Sequence, residues 1–587
     1  MSLSTKTVKC LVNSVDNAVT ETLFGLCHTY PQLEYNASHK VVIAPDVEKR
    51  TNKVSLLCGG GSGHEPFAAG FVGSGMLTAS IAGSIFAAPP SVHITYAIQR
   101  VAKHSEAGIL MIIPNYTGDC LNFGIAIEKA RQSGLMISDV IVADDCSIPK
   151  SEQGIAGERG LTGMLFVIKI AGALAERGLP LQEITEAARN VSLNLATYAV
   201  GLTACALPGQ GLMFELAEDE IECGMGVHGE AGCEKMKMES AKEVTAFILK
   251  HICNSLSLIS GDSVAVMVNN FGAMSQLEQG IVVHEVVHQL RCSNIQPVRV
   301  YSGVLMTSLN SSGVHITLLK LPEEYKACFV SCLDDPTNAP RWPGCVYSVP
   351  LTSDRTSIQE EVKGKVEKVG VEINVKGQRL IRQCLENACN AIIEKESYLN
   401  DLDRGCGDGD CGTTLRRLAE GILQNLDSLH LSHPSSVFST LANIAEEQMG
   451  GTSGALYCLF FTTVAKELST SQQKETWLNI SARAFRSGLG CLMKYGKANP
   501  GDRSMIDPME NVCTTCENML SKAPNNVYEQ IAEAAWRGCE ATKNMKPRAG
   551  RASYVKQAQY LQQVDAGAYA AATWISAVAN TILHFSE

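Results

Sequence analysis

The chain has 587 residues, of which 45% are hydrophobic and 19% charged, with a formal net charge of −11. This length predicts two to four domains with sizeable cores. The negative charge, without any cluster of Lys and Arg, argues against a nucleic-acid partner. The first residues lack a secretion signal and no run of about 18 apolar residues occurs, so we expect a cytoplasmic protein without a membrane partner. Its 22 cysteines are then expected to be reduced.

Residues 1–348 alternate short apolar, β-rich runs with helical patterns. Helices are predicted over 122–133 and 161–177. Uninterrupted apolar strands separated by helices indicate parallel sheets covered on both faces, and the length predicts a two-lobed α/β domain. The predicted strands are 53–58, 109–113, 139–143, 263–268, 298–301 and 315–321.

The rest of the chain has a different polarity and a different spacing of its hydrophobic residues. Residues 349–373 are polar and weakly periodic, which is typical of an interdomain linker. From residue 374 to 587 helical spacing dominates, as in the series Ile381, Leu385, Ala388 and Ile392. We therefore predict a multidomain protein in which the α/β domain is followed by an all-helical domain.

A glycine-rich segment, residues 58–66, directly follows a predicted strand. Ligands of open α/β sheets bind beyond the carboxyl ends of strands, where glycines let the backbone come close to them. No Lys-Ser or Lys-Thr pair completes a phosphate loop. The polar tip Ser62-Gly63-His64 favours a ligand site, and a tight turn remains the alternative.

A second polar segment, residues 115–119, also follows a buried strand. Taken alone, Asp119 is best interpreted as a turn or N-cap residue before the helix predicted from Asn122. It gains interest because this segment and the glycine-rich one could face the same crevice.

His228 stands among four glycines in residues 224–232. Imidazole is largely uncharged near pH 7 and is then a nucleophile, which suggests capture of a carbonyl compound. For a single histidine a structural role is the common alternative. The neighbouring Gly226 and Gly229 argue against a helix-interior or core position.

Three carboxylates lie within eight residues at Asp403, Asp408 and Asp410. Carboxylates held close together repel one another unless a hard cation binds them, and Mg²⁺ accepts such ligands. A solvated acidic turn is the alternative, and no Glu completes an EF-hand. The following Gly412-Thr413-Thr414 leads into a helix and could offer N–H groups to an anion.

Three further segments break the helical texture: 449–457, 500–505 and 550–554. Separately each is interpreted as an interhelical loop. Together, at one end of a helical bundle, they could form a nucleotide pocket in which Arg503 lies near phosphate.

These motifs resemble the ATP-dependent dihydroxyacetone kinases of the two-domain type, and most closely the animal members. The resemblance runs nearly from end to end of the chain. The motifs that carry it are Gly-Gly-Gly-Ser-Gly-His-Glu-Pro, Asn-Tyr-Thr-Gly-Asp, His-Gly-Glu-Ala-Gly, Gly-Asp-Gly-Asp-Cys-Gly-Thr-Thr and Gly-Arg-Ala-Ser-Tyr.

The resemblance implies a substrate-binding α/β domain and a nucleotide-binding barrel of antiparallel helices, assembled as a homodimer. It implies that His228 forms a covalent hemiaminal with the substrate, that Asp119 accepts the proton of the attacking hydroxyl, and that His64 assists as acid or base. The implied substrate-binding residues are Gly61, Ser62, Gly63, His64 and Asp119. The implied metal ligands are Asp403, Asp408 and Asp410, and the implied nucleotide-binding residues are Asp410, Cys411, Gly412, Thr413, Ala455, Leu456, Arg503, Ser504, Asp565, Ala566 and Gly567.

Two activities are implied. One is phosphorylation of dihydroxyacetone and glyceraldehyde by ATP with Mg²⁺, and the other is cleavage of FAD to AMP and a cyclic FMN with Mn²⁺ or another divalent cation. One residue departs from the family pattern, since Pro114 stands where the family usually has a lysine that contacts the substrate. A carbonyl-binding sensor with weakened kinase activity is therefore the alternative function.

Overall fold

The computed structural model describes residues 8–148, 157–230, 232–344, 368–404, 406–472, 475–520, 526–549, 551–554 and 562–585. The chain divides into two compact units, Met1–Ile358 and Gln359–Glu587. Most of the predicted linker, 349–373, lies outside the described residues, so the predicted domain limits stay predictions. Within the described residues, no helix has the length and apolar character needed to cross a membrane.

The first unit contains two six-stranded sheets. All six predicted strands are present, each within a few residues of its predicted limits. The strands are β1 (Glu34–Asn36), β2 (Val41–Ile43), β3 (Ser55–Ser62), β4 (Ala79–Ile85), β5 (Ile109–Pro114), β6 (Ile137–Val142), β7 (Leu195–Gly201), β8 (Glu220–Cys223), β9 (Glu234–Lys237), β10 (Ser263–Asn270), β11 (Gln296–Gly303) and β12 (Gly313–Lys320).

The first sheet has the order β1-β2-β4-β3-β5-β6, and the pairs β4-β3, β3-β5 and β5-β6 are parallel. The second has the order β11-β10-β12-β7-β8-β9, and only β10-β11 is parallel. The prediction of parallel sheets is therefore wrong for the second lobe. Its central strands are buried on both faces, so their apolar runs look the same as those of a parallel sheet.

Eight helices in the described part of this unit cover the sheets. Helix α4 begins three residues after its predicted start, and Met164–Ala175 are all buried, because residues of both sheets belong to the core around it. The helices are α1 (Ala18–Thr29), α2 (Ser91–Ala102), α3 (Thr117–Gln132), α4 (Met164–Glu176), α5 (Leu181–Leu193), α6 (Ala241–Ser255), α7 (Gln276–Cys292) and α8 (Glu323–Asp334).

The glycine-rich segment belongs to strand β3, which continues as far as Ser62. A Cβ atom on Gly59 would lie 2.1 Å from the carbonyl oxygen of Ile81, and one on Gly61 would lie 2.8 Å from the amide nitrogen of Ala87. These glycines therefore permit close approach of β4 and the segment after it. The loop itself begins at Gly63, whose φ of +99° favours glycine.

The second unit is all-helical in its described part, as predicted. Eight of its helices pack in a closed ring, with α17 completing the ring against α9. The ring surrounds an apolar cavity of about 380 Å³ whose lining includes Phe460, Phe485 and Trp574. The helices are α9 (Val375–Glu394), the short α10 (Glu396–Asp403), α11 (Cys411–Asn425), α12 (Pro434–Gln448), α13 (Gly451–Thr470), α14 (Trp477–Gly496), α15 (Ile506–Leu520), α16 (Val527–Ala541) and α17 (Ala566–Leu583).

Connections of at most nine residues join consecutive helices from α11 to α16, so that they run antiparallel. The amide of Asp565, just before α17, donates to Oγ1 of Thr542, just after α16, at 3.0 Å. The amino-terminal ends of α11, α13, α15 and α17 therefore lie at one end of the barrel. Residues 449–457 differ from the prediction of a loop, because only Met449 and Gly450 lie between α12 and α13. Gly450 and Gly451, with φ of +63° and +59°, make the sharp change of direction there. Ala455 and Leu456 belong to the first turns of α13.

Candidate active site

A small cavity in the first unit brings the three predicted catalytic side chains together. His64 follows β3, Asp119 lies in the first turn of α3, and His228 lies in the loop after β8. All three line a cavity of about 20 Å³, together with Gly60, Gly61, Phe67, Pro114, Tyr116, Gly160, Met164, Val227 and Met306. His64 follows β3, and Asp119 lies in the helix that follows β5. Because β3 and β5 are adjacent and parallel, their carboxyl ends meet at the same edge of the sheet.

His64 is buried, with 4% of its surface exposed. Its Nδ1 lies 2.9 Å from the carbonyl oxygen of Thr307, and its Nε2 has no hydrogen-bond partner among the described residues. Burial, and next the nearby His228, lower the pKa of His64 to about 3. The ring is therefore neutral near pH 7 and Nε2 is available to a ligand.

Asp119 is the third residue of α3, which begins at Thr117. The alternative that Asp119 caps the helix is wrong, because Tyr116 occupies the N-cap position. Asp119 is 4% exposed, and its Oδ1 has no hydrogen-bond partner in the described part of the chain. Burial raises the pKa of Asp119 to about 7, which suits a general base at neutral pH.

His228 is half-buried and surrounded by rings. Its ring centroid lies 4.9 Å from that of His64, 5.3 Å from that of Phe86 and 4.7 Å from that of Tyr116, each in an edge-to-face arrangement. Burial lowers the pKa of His228; the neighbouring Glu230 raises it and Arg159 lowers it. The imidazole is thus held as the neutral, nucleophilic form.

The predicted substrate-binding residues divide into two groups. Gly61, His64 and Asp119 line the cavity. The hydroxyl of Ser62 instead donates to the carbonyl oxygen of Gly83 at 2.9 Å, and the amide of Gly63 donates to the carboxylate of Glu65. Ser62 and Gly63 therefore shape the loop that carries His64.

Sequence reasoning missed Phe86, which stacks on His64 at 5.2 Å and also contacts His228. Phe86 has a left-handed φ of +56° and follows β4 in a segment without a recognisable motif. Tyr116 belongs to the Asn-Tyr-Thr-Gly-Asp motif, but the sequence does not indicate that its ring packs beside His228. Pro114 lines the cavity as the last residue of β5, so the departure from the family lies at the site itself.

The acidic residues of the second unit form one cluster. Asp403, Asp408 and Asp410 each offer a carboxylate oxygen within 4.8 Å of the others, and the last two are exposed. The amides of Gly409 and Asp410 donate to Oδ2 of Asp403, at 2.9 and 3.2 Å, which folds the loop around that carboxylate. Three hard oxygen donors at this spacing fit Mg²⁺ or Mn²⁺.

The amino-terminal end of α11 follows this cluster directly. Oδ1 of Asn400 accepts hydrogen bonds from the amides of Gly412 and Thr413, at 2.7 and 3.1 Å, and the amide of Thr414 donates to the carbonyl oxygen of Asp410. The suggestion that these N–H groups are available to an anion is therefore wrong for this conformation. Cys411 is the first residue of the helix.

Arg503 is buried in the loop before α15, with 2% of its surface exposed and a left-handed φ of +61°. Its Nη2 donates to the carbonyl oxygen of Gln563 at 3.0 Å, while Nε and Nη1 are buried and have no partner within the residues that the structure describes. The amide of the next residue, Ser504, donates to the carboxylate of Asp507. A buried guanidinium with two unpaired donors is suited to bind an anion.

Residues 565–567 lie beside that loop. Asp565 caps α17 by accepting a hydrogen bond from the amide of Ala568 at 2.8 Å, and burial raises the pKa of Asp565 to about 6. A Cβ atom on Gly567 would lie 3.6 Å from Cβ of Met505. The charges of Arg503 and Asp403 both act on Asp565, which indicates that the acidic cluster and the arginine loop are neighbours.

The other predicted nucleotide-binding residues lie at the same end of the barrel. Ala455 and Leu456 belong to the first turns of α13, and Leu456 lies beside Gly496 of α14. Ala566 is the first residue of α17 and is buried. The segment 550–554 is described only from Arg551 to Tyr554, and Gly550 lies outside the described residues.

Comparison with known proteins shows two family matches, a Dak1 domain over residues 24–341 and a DAK2 domain over residues 405–580. The triokinase/FMN cyclase of Mus musculus is 38% identical over 98% of this chain and 99% of the relative. Among solved structures, the dihydroxyacetone kinase of C. freundii in complex with AMP-PNP and Mg²⁺ matches 97% of this chain and 99% of its own, with a TM-score of 0.65 and 30% identity.

A third match is a dihydroxyacetone kinase operon co-activator, which covers 55% of this chain and 98% of its own, with a TM-score of 0.53 and 30% identity. Matches to both domain families and similarity over nearly the whole length distinguish this chain from a relative that matches only 55% of it. The chain therefore belongs to the dihydroxyacetone kinase family, in the two-domain form that joins a Dak1 domain to a DAK2 domain.

Proposed function

We propose that this protein is an ATP-dependent kinase of dihydroxyacetone and glyceraldehyde that captures its substrate covalently on His228. The observation that carries the proposal is the convergence of His228, His64 and Asp119 on one small cavity of the first unit. The full-length similarity to triokinase/FMN cyclases and dihydroxyacetone kinases supports it.

The capture step follows from the neutral state of both histidines. A nitrogen of His228 adds to the carbonyl carbon, so that a C–N bond forms, the carbonyl oxygen takes up a proton and the imidazole loses one. His64, neutral and with a free Nε2, is placed to relay that proton. A polyol such as glycerol has no carbonyl group and cannot form this bond, which gives the site its selectivity.

Phosphoryl transfer then needs a base and charge neutralisation. Asp119 accepts the proton of the terminal hydroxyl as its oxygen attacks the γ-phosphorus of ATP and ADP leaves. Asp403, Asp408 and Asp410 would hold Mg²⁺, which when bound offsets the charge of the phosphates. Arg503 would contact a phosphate through its unpaired donors, and the proposed nucleotide contacts are Asp410, Cys411, Gly412, Thr413, Ala455, Leu456, Ser504 and Asp565–Gly567.

The second proposed activity is cleavage of FAD to AMP and riboflavin cyclic 4′,5′-phosphate. It uses the same metal–nucleotide site with Mn²⁺ or another divalent cation, and the 4′-hydroxyl of the ribityl chain attacks its own phosphate. The names of the mammalian relatives favour this activity. It does not require His228, because FAD is not captured through a carbonyl.

A carbonyl-binding sensor is the competing candidate. It is favoured by Pro114, which lines the cavity where the family usually has a lysine, and by the similarity of the first unit to an operon co-activator. Proline supplies neither a charge nor a backbone N–H. The presence of the acidic cluster and Arg503 in a second unit favours the kinase.

Product assays on wild type, His228→Ala and Asp410→Ala test these proposals, with dihydroxyacetone plus Mg-ATP and with FAD plus Mg²⁺ or Mn²⁺. We expect both substitutions to abolish triose phosphorylation, whereas only Asp410→Ala stops FAD cleavage. His251→Ala, on a half-buried histidine of α6, and Asp401→Asn, on an exposed aspartate of α10, are the matched controls. Covalent binding of dihydroxyacetone by wild type without phosphate transfer would establish the sensor instead.

The remaining expectations stay part of the proposal. The protein is proposed to form a homodimer and to work in the cytoplasm, as the family resemblance and the sequence imply. The domain limits at residues 348 and 374 are proposed on the change of sequence texture.

A further inference from the structure

The loop that carries His228 is tied down by one side chain from another segment of the first unit. Arg159 lies between β6 and α4. Its Nη2 donates to the carbonyl oxygen of Gly224 at 2.6 Å, and its Nη1 donates to Oε1 of Glu230 at 3.3 Å. These contacts lie four residues before and two residues after His228, so a single guanidinium holds both ends of the loop.

The guanidinium is itself fixed from the other side. Its Nε donates to Oδ2 of Asp145 at 2.6 Å, and Nη2 also lies 3.3 Å from the hydroxyl of Ser147. The carbonyl oxygen of Arg159 accepts hydrogen bonds from the amides of Asp144 and Asp145, both at 3.1 Å. The side chain of Arg159 is 17% exposed and that of Asp145 only 2%, so this anchor is held within the protein.

Among the described residues of this loop, two backbone hydrogen bonds lie within the loop itself. Within it, the amide of Gly226 donates to the carbonyl oxygen of Glu230 at 3.4 Å and that of Gly229 to Gly226 at 3.2 Å. Gly224 and Gly229 have left-handed φ values of +72° and +71°, and glycine restricts the backbone less than any other residue. The position of the imidazole therefore depends on contacts from outside the loop.

We propose that Arg159 is a positioning residue that sets both the place and the charge state of the His228 imidazole. This inference rests on the proposed role of His228 as the covalent anchor of the substrate. The guanidinium makes four contacts in a planar arrangement that the compact ammonium group of lysine cannot reproduce.

Charged or titratable groups from several segments of the described part of the chain lie near His228. His64 approaches from the end of β3 and Tyr116 from the start of α3, while Glu230 belongs to the same loop and Arg159 lies behind it. Glu230 raises the pKa of His228 and Arg159 lowers it. Removing only the positive charge of Arg159 therefore raises the pKa of His228, so that the imidazole is already protonated at a higher pH.

The test compares Arg159→Lys with Arg159→Gln. Misplacement of a reacting group by about 1 Å can cost about 100-fold in rate, so we expect kcat/KM for dihydroxyacetone to fall roughly 10- to 100-fold in both variants. The distinguishing measurement is the affinity for dihydroxyacetone without ATP, by calorimetry at a series of pH values. The pH below which binding is lost should stay unchanged in Arg159→Lys and move upward in Arg159→Gln.

Arg299→Lys is the matched control. Arg299 is 14% exposed and pairs with Asp334 through two hydrogen bonds of 2.7 and 2.6 Å in the same unit, away from the cavity. We expect kcat/KM within twofold of wild type. Thermal melting identifies any variant that fails to fold. In that case Glu230→Gln replaces it. Because Glu230 raises the pKa of His228, we expect the pH below which binding is lost to move to a lower value in Glu230→Gln.

Several outcomes overturn the inference. Full kcat/KM in Arg159→Lys removes the positioning role, and an unmoved binding limit in Arg159→Gln or in Glu230→Gln removes the role in setting the charge state of His228. A wild type that binds dihydroxyacetone but transfers no phosphate contradicts the proposed kinase alone, since the binding comparison still applies. A wild type that does not bind dihydroxyacetone contradicts both.

Discussion

The two candidate sites of this protein handle charge in opposite ways. In the first unit, His64 and Asp119 are each 4% exposed, and burial shifts the pKa of His64 down to about 3 and that of Asp119 up to about 7. In the second unit, Asp408 and Asp410 are exposed and lie close to Asp403 in a loop after α10.

The difference follows from what each site is proposed to do. Proton transfer and nucleophilic attack near pH 7 need groups whose pKa values are shifted by their surroundings, and burial supplies that shift. Clustered carboxylates instead become favourable when a divalent cation binds, so they stay exposed to it. The proposed role of the first site therefore depends on buried groups with shifted pKa values, whereas the proposed role of the second depends on exposed carboxylates that a cation can reach.

The largest expected effect separates the two sites through Asp119. Asp119→Asn removes the proposed base from the first unit, and we expect kcat for triose phosphorylation to fall about 10²- to 10⁴-fold. FAD cleavage should be unchanged, because it depends on the second unit. Parallel product assays check this, and a loss of both activities would contradict the separation of roles.

The same substitution should stabilise the protein at alkaline pH. The folded-state pKa of Asp119, about 7, lies above the ordinary value, so the contribution of Asp119 to wild-type stability is fully present below about pH 4 and is lost as the pH rises through about 7. At pH 8 we expect Asp119→Asn to raise the free energy of unfolding by up to about 4 kcal/mol.

Denaturant unfolding at pH 8 and pH 4 measures this effect, with little gain expected at the lower pH. An exposed control, Asp401→Asn, should show no such pH dependence. Equal stability of Asp119→Asn and wild type at pH 8 would mean that burial does not shift the pKa of Asp119.

Arg503 tests the second site. Its buried guanidinium has two unpaired donors, and a hydrogen bond to a charged group contributes about 1.5–3 kcal/mol. We expect Arg503→Ala to raise KM for ATP by about 10- to 100-fold and to weaken FAD cleavage as well. Steady-state kinetics with both substrates check this; the exposed Arg537→Ala is the control, and an unchanged KM for ATP contradicts a phosphate contact.

The smallest expected effect concerns Pro114. Restoring a lysine by Pro114→Lys adds a charged donor at the cavity, and we expect kcat/KM for dihydroxyacetone to rise by up to about 10-fold. FAD cleavage serves as the internal control and should not change. A decrease would show that the cavity of this protein is built around the proline.

The sequence predicts much of the first unit, because buried strands and the helix α4 leave long apolar runs. It does not reveal strand direction, so the antiparallel pairing of β7, β12 and β10 could not be anticipated. Likewise Gly59 and Gly61 have the pattern of a ligand loop, but their absent side chains make room for a neighbouring strand. A local sequence pattern does not show which distant backbone segment packs against it.

The site shows the same limit. His64 and Asp119 attracted attention because they follow predicted buried strands, and His228 because it stands among glycines, while the family resemblance implied their roles. Phe86 was not predicted, because its contacts arise only when the turn after β4 folds over His64 and His228. Asn400 was also missed. Its Oδ1 accepts hydrogen bonds from the amides of Gly412 and Thr413, and no sequence motif marks this contact.

Covalent capture at His228 is the central claim, and carbon-13 NMR with dihydroxyacetone labelled at the carbonyl carbon tests it most directly. Wild type and Asp119→Asn should both show a protein-bound tetrahedral carbon, distinct from the hydrate seen in a protein-free sample, and His228→Ala should not. A bound signal that persists in His228→Ala, or that is absent from wild type, would contradict the account.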